Sequence, residues 1–128
     1  MRRRGAPADI ATEVVDDLVA RGYVDDAAFA RQWVSARASR GYGAARLRME
    51  LRARGIAPPL ISAALSALSG DDTLVRAREA ARRRLPALRR GRPERIAPRL
   101  RDYLLRRGFS GSIVVRVVRE TTGIPTDD

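Results

Sequence analysis

The sequence predicts an all-α protein made of tandem three-helix units, and three observations carry that expectation. Counting from Gly5, Gly55 and Gly108, apolar residues fall at plus 5, 6, 9 and 10: Ile10, Ala11, Val14 and Val15, then Leu60, Ile61, Ala64 and Leu65, then Ile113, Val114, Val117 and Val118. Each set is a single helical stripe. The three glycines are 50 and 53 residues apart, a period expected of repeated helical units that bury their faces against one another. Between the glycines, further apolar stripes supply two more helices per unit.

The first of these helices is expected from about Asp25 to Ser39, with Phe29 and Trp33 one turn apart and Val34 beside them. The second spans about Ala44 to Arg54 and places Ala44, Leu47 and Leu51 on one face. After the Gly55 segment the scheme repeats. From about Asp72 to Arg89, Leu74, Ala77, Ala81, Leu85 and Leu88 form a stripe, with Pro86 near its end expected to kink or stop the helix. Ile96, Leu100, Tyr103 and Leu104 form the next stripe, and the Gly108 segment closes the unit.

Arg-Gly-apolar junctions separate these helices: Gly22 with Tyr23, Gly55 with Ile56 and Gly108 with Phe109. A glycine just past a helix adopts the left-handed conformation without a Cβ penalty. The preceding arginine favours the negative end of the helix dipole, and the following apolar residue folds back on the last turn.

The adjacent Asp25 and Asp26 invite a catalytic or metal-binding reading, but a helix start explains both. Asp25 as N-cap would accept backbone N–H bonds, Asp26 would face the positive end of the dipole, and Val24 would staple onto Phe29. The same device recurs at Gly70, Asp71 and Asp72. A magnesium or acid/base role is disfavoured because no third carboxylate or histidine lies near in sequence.

Trp33, the single tryptophan, shares the Phe29 stripe and is expected in the core, where Trp33→Ala would cost roughly 3–5 kcal/mol. Base stacking is the alternative. Arg37 follows one turn later, placed to lie over the indole while its head group reaches solvent or a ligand.

The chain has 128 residues, enough for one domain with a modest core, and a net charge of +11 carried by 26 arginines against 15 acids, with no lysine. Such an excess attracts polyanions or an acidic protein surface. Residues 21–70 hold 8 arginines against 3 acids, and residues 71–128 hold 15 against 8, so most of the attraction lies in the C-terminal half. Without cysteine or histidine, no disulfide, thiolate zinc site, cysteine nucleophile or histidine-based triad can form. An enzyme is not expected, nor a cofactor or metal. "MRRRGAPAD" has basic residues but no apolar stretch to follow them, and no apolar run approaches a membrane span. A cytoplasmic location, no membrane partner and a monomeric state are expected.

Two basic clusters are the candidate contact surfaces. The denser contains Arg82, Arg83, Arg84, Arg89, Arg90 and Arg92, six arginines without an acid in eleven residues. That density costs self-repulsion unless an anionic partner relieves it. The weaker cluster, within Ser35 to Arg48, supplies Arg37, Arg40, Arg46 and Arg48. No RNA-recognition aromatic pair, Gly-rich phosphate loop or zinc-finger spacing is present, so sequence-specific readout is not indicated. On charge alone, a general basic helical nucleic-acid-binding protein is the alternative function.

The stretch from Arg21 to Leu65 resembles the RecX family of bacterial regulators of the RecA recombinase. Gly22, Tyr23, Asp25, Asp26, Phe29, Ala30, Arg37, Gly41, Gly43, Leu51, Gly55 and Ile56 match its pattern in order, and "LLRRGFSGSIVVRVV" resembles its C-terminal stretch. Residues 71–100 match only in helical pattern and basic character. The resemblance implies an elongated, curved array of three-helix repeats lying in the groove of the RecA filament on DNA. There it would inhibit ATP hydrolysis, strand exchange and co-protease activity in DNA repair and the SOS response, without catalytic residues or a cofactor. Members of the family usually carry two further helices before the segment matching Gly5 to Leu18. The resemblance therefore implies an incomplete first repeat (1–20), a second repeat (21–69) and a third (70–128), with Ile10, Val14, Val15 and Leu18 capping the second. A shorter reach along a filament and weaker inhibition would follow.

Overall fold

A computed structural model describes residues 7–68 and 70–123. Among these described residues six α-helices follow one another: α1 (Pro7–Ala38), α2 (Ala44–Ala53), α3 (Pro58–Leu65), α4 (Gly70–Leu88), α5 (Ile96–Arg106) and α6 (Gly111–Thr122), with a 3₁₀ turn (Pro93–Arg95) leading into α5. Among the described residues there is no strand, and the fold is all-α, as expected.

The helices form two three-helix bundles, each with its own core. In the first, Val34 of α1, Leu47 and Leu51 of α2, and Leu60 and Ile61 of α3 are buried together. In the second, Ala77 and Ala81 of α4, Leu100 and Leu104 of α5, and Val114 and Val117 of α6 do the same. Apart from α1, whose buried face is Ala30, Val34 and Ala38 while Phe29 and Trp33 are only partly buried against it, these are the apolar stripes read from the spacing, and burying them removes apolar surface from water. Small alanines on α1 and α4 let the helix axes approach closely, leaving the larger aliphatics to fill the space between α2 and α3, and between α5 and α6.

The helix ends follow from local chemistry. At Gly108 (φ +96°) the amides of Gly108 and Phe109 donate to the carbonyls of Leu105 and Leu104. This is the paired bond pattern of a glycine-terminated helix, and the buried Phe109 folds back on the end of α5. The amides of Gly55 and Ile56 make the equivalent bonds to Arg52 and Leu51. Prolines open α3 and the 3₁₀ turn, where a missing N–H costs nothing. The Ser110 hydroxyl oxygen caps α6 by accepting the Ile113 amide at 3.4 Å. Pro86 lies inside α4, which stops two residues later at Leu88.

The junction expected at Gly22 does not exist. α1 runs unbroken from Pro7 to Ala38, so Gly22 is helical, Asp25 is not an N-cap, and both aspartates are exposed on a helix interior. Tyr23 and Val24 are 56% and 63% exposed, so neither the fold-back contact nor the staple onto Phe29 forms. The physical reason is that one glycine costs a helix only about 1 kcal/mol. A glycine cap wins over continuation when an apolar residue has a surface to fold onto, as Phe109 has and Tyr23 does not. Arg21 and Asp17, paired at 2.8 Å across one turn, bridge the last turn before Gly22. Likewise α4 begins at Gly70, which places Asp72 in its first turn rather than at the cap. The side chain of Asp71 lies outside the described residues, as do Gly5 and the side chains of Ile10, Ala11, Val14, Val15 and Leu18.

The two bundles are joined through main-chain atoms. The amides of Gly43 and Ala45, at the start of α2, donate to the carbonyls of Arg107 and Gly108 at the end of α5, at 2.7 and 3.2 Å. A positive helix end thus meets a negative one, each supplying the partners that the other lacks. A Cβ on Gly43 would lie 2.5 Å from the Gly108 carbonyl carbon, so the approach requires glycine. In return, Arg107 donates through Nε to the Gly41 carbonyl at 3.2 Å and through Nη2 to the Arg40 carbonyl at 2.7 Å, closing the end of α1.

Candidate functional site

The first bundle presents an arginine–aromatic cluster organised by one carboxylate. Glu50 of α2 accepts from Trp33 Nε1 at 2.9 Å, from Arg37 Nε and Nη2 at 3.1 and 2.6 Å, and from Arg46 Nε at 3.0 Å. The Arg37 hydrogen bonds, more than any other cause, hold the Glu50 carboxyl below the usual carboxylate range against the opposing effect of burial. The same contact raises the Arg37 guanidinium. Trp33 stacks on Phe29 with centroids 5.6 Å apart, and Arg54 lies over both rings. Tyr42 is held between Arg37 and Arg107, whose guanidinium carbons lie 4.0 and 3.9 Å from the ring centre.

Trp33 packs against the first core but remains partly exposed, because its N–H must reach Glu50. Arg37 does lie over the indole, 5.5 Å from its centroid. Its head group, however, is bound to Glu50 rather than extended to solvent.

The remaining candidate arginines divide by location. Arg40 and Arg48 are exposed beside the joint between the bundles. Arg82 pairs with Glu79 at 2.8 Å on the outer face of α4. Arg83 is exposed on the same helix, and Arg89, Arg90 and Arg92 are exposed in the link from α4 to α5. Arg84 lies over Tyr103, 5.1 Å from the ring centre. It lines a groove of about 310 Å³ between α4 and α5 together with Leu88, Arg99, Asp102 and Arg106.

The structure therefore brings Arg37 and Arg46 together through Glu50, and Arg84 together with Arg99 and Arg106. It does not place Arg82, Arg83 and Arg84 on one face, because consecutive residues on a helix point in different directions, and Arg89, Arg90 and Arg92 lie in the link beyond α4. Arg54, Arg99, Arg106 and Arg107 were missed by reading density along the chain. The repeat register could have found one of them, since Arg99 stands nine residues before Gly108 as Arg46 stands nine before Gly55.

Asp25 and Asp26 join no metal-binding group, and none exists among the described residues. Nor, among the described residues, is any helix long and apolar enough to cross a membrane.

Comparison with known proteins decides the family. The profile of RecX's second three-helix domain matches residues 25–65, which span the C-terminal part of α1, α2 and α3. The chain is 41% identical over 122 residues to "Regulatory protein RecX" of Thermobifida fusca, covering 94% of this chain and 65% of that one. It is 36% identical over 125 residues to the protein of the same name from Mycolicibacterium vanbaalenii, covering 92% and 68%. This chain belongs to the RecX family. The RecX of Streptomyces coelicolor is 36% identical over 122 residues, covering 94% of this chain and 64% of its own. The chain thus spans about two thirds of the length of these RecX proteins. No solved structure matches it.

Within the RecX frame, the matched domain is the bundle organised by Glu50, and it ends at Leu65, where the first core ends. The second bundle is covered by the similarity to whole RecX chains rather than by that profile.

Proposed function

We propose that this chain is a non-enzymatic regulator of the RecA recombinase that seats on the RecA filament formed on DNA. There it lowers ATP hydrolysis, strand exchange and co-protease activity, in DNA repair and the SOS response. The observation that carries this reading is the 41% identity over 122 residues with a regulatory protein RecX. Two basic bundles held at a main-chain joint support it, because a filament groove lined by DNA and protein is an extended, anionic surface that suits a rigid, positively charged insert. On this reading the working units are residues 21–69 and 70–128, and the chain acts as a cytoplasmic monomer with no cofactor.

The test is ATP hydrolysis by RecA on single-stranded DNA as the folded chain is titrated in. A falling rate is expected, and an unchanged rate at saturating concentration overturns the reading. A second reading, general nucleic-acid binding, draws on the exposure of Arg83, Arg89, Arg90 and Arg92. It predicts tight DNA binding without RecA and no effect on RecA turnover at concentrations too low to coat the DNA.

A further inference from the structure

The two bundles repeat a backbone but not a charge balance. Glu50 stands five residues before Gly55, and Tyr103 stands five before Gly108. Arg46 and Arg99 are likewise equivalent. In the first bundle Arg46 reaches Glu50 one turn on, at 3.0 Å. In the second, the residue one turn on from Arg99 is Tyr103, which offers a ring face and no carboxylate. Asp102, the single carboxylate lining the α4–α5 groove among the described residues, is bound by Arg101 at 3.2 Å. Arg84, Arg99 and Arg106 make no side-chain hydrogen bond or ion pair with another described residue. Elsewhere Arg78 and Arg116 share Glu120, and Arg82 has Glu79. Among the described residues the groove thus collects three guanidinium groups against the one carboxylate of Asp102, which Arg101 already engages.

We propose that this α4–α5 groove is a phosphate-binding subsite for a nucleic-acid backbone, with Arg84, Arg99 and Arg106 donating to phosphodiester oxygens. Guanidinium forks match the paired oxygens of a phosphate. Tyr103 holds the Arg84 guanidinium over its ring face and so orients it at little entropic cost. The groove also continues. Arg99 Nη1 lies 3.8 Å from where a Cβ on Gly91 would stand, beside the link that carries Arg89, Arg90 and Arg92. A polymer with a charge at every step can use such a row, whereas a single free anion fills only the groove. In the first bundle Glu50 occupies the equivalent place, so only the second bundle carries the subsite. This deepens the RecA-filament reading, on which it rests for the identity of the polymer as DNA.

Fluorescence anisotropy of labelled oligo-dT, without RecA, tests it on the full chain. The variant Arg84→Gln/Arg99→Gln/Arg106→Gln is compared with Arg31→Gln/Arg52→Gln/Arg119→Gln, which removes the same charge from exposed positions outside the groove. The groove variant is expected to bind roughly tenfold more weakly than the control variant, and to flatten the salt dependence of log K by about 2, near 0.7 per lost phosphate contact. Tyr103→Glu restores the carboxylate found in the first bundle, and is expected to weaken binding with every arginine in place. Equal binding by the two triple variants overturns the proposal, as does no binding of oligo-dT by the wild type at low salt. RecA ATP hydrolysis measured on the same proteins separates the two readings. A groove variant that binds oligo-dT normally but no longer inhibits RecA assigns the groove to an acidic protein surface and overturns the phosphate site. A wild type that binds oligo-dT through the groove without affecting RecA keeps the phosphate site and removes the RecA reading.

Discussion

The amide of Gly43 donates a 2.7 Å hydrogen bond to the carbonyl of Arg107, so the two bundles meet backbone to backbone, with the Arg107 and Arg46 side chains bridging beside that bond. A methyl group at residue 43 would sit 2.5 Å from the Gly108 carbonyl carbon, with backbone on the other side that cannot rotate away. Gly43→Ala is therefore expected to cost roughly 1–3 kcal/mol. Urea unfolding measures this, and a change of a few tenths would mean that the bundles do not approach as described.

Glu50 accepts four hydrogen bonds from three residues at once. Neutralising it by Glu50→Gln leaves Arg37 and Arg46 without counter-charge in a partly buried cluster, at an expected cost of about 1.5–3 kcal/mol near neutral pH. Because the folded carboxyl is held below the usual carboxylate range, its contribution is complete above that range. It is lost as the pH falls through the lowered value. Denaturation of wild type and Glu50→Gln at several pH values should show the two curves converging in acid.

Glu120 is held down to about 2, first by its hydrogen bond from Arg78 of α4, with Arg116 of its own helix adding. A carboxyl-observed NMR titration should find its midpoint near that value. Arg78→Ala should move the midpoint up toward the ordinary glutamate range. Any stability from this α4–α6 tie is present above the ordinary range and fades toward the lowered value; because the pair is exposed, the titration rather than the melting temperature is the sensitive readout.

Gly22→Ala separates a continuous α1 from a broken one. Nothing lies within 4 Å of a Cβ placed there. In an unbroken helix alanine is favoured over glycine by up to about 1 kcal/mol, so helicity and thermal stability should rise. A fall would restore the left-handed junction.

Much of the fold was legible because the apolar stripes are clean. Leu60, Ile61, Ala64 and Leu65, and Val114, Val117 and Val118, are buried where the spacing put them. Gly55 and Gly108 end their helices because Ile56 and Phe109 have cores to fold onto. The same three-residue pattern at Gly22 misled, since sequence shows the signal for a turn but not the surface that rewards it. The Arg37 contact with Trp33 was legible as a one-turn spacing. Its capture by Glu50 was not, because that bond joins two helices. For the same reason Arg99 and Arg106 went unnoticed: they are ordinary arginines along the chain and become a cluster only when α5 lies against α4.

The Gly43–Arg107 joint has a consequence for how such a protein can change. Its amide-to-carbonyl bonds depend on no particular side chain beyond the glycines that permit the approach. Substitutions on α2 and α5 that spare the bridging Arg46 and Arg107 can therefore redistribute charge while these backbone bonds stay in place. Geometry and affinity become separately heritable, so divergence can tune what the surface prefers without disturbing the spacing at which it is presented.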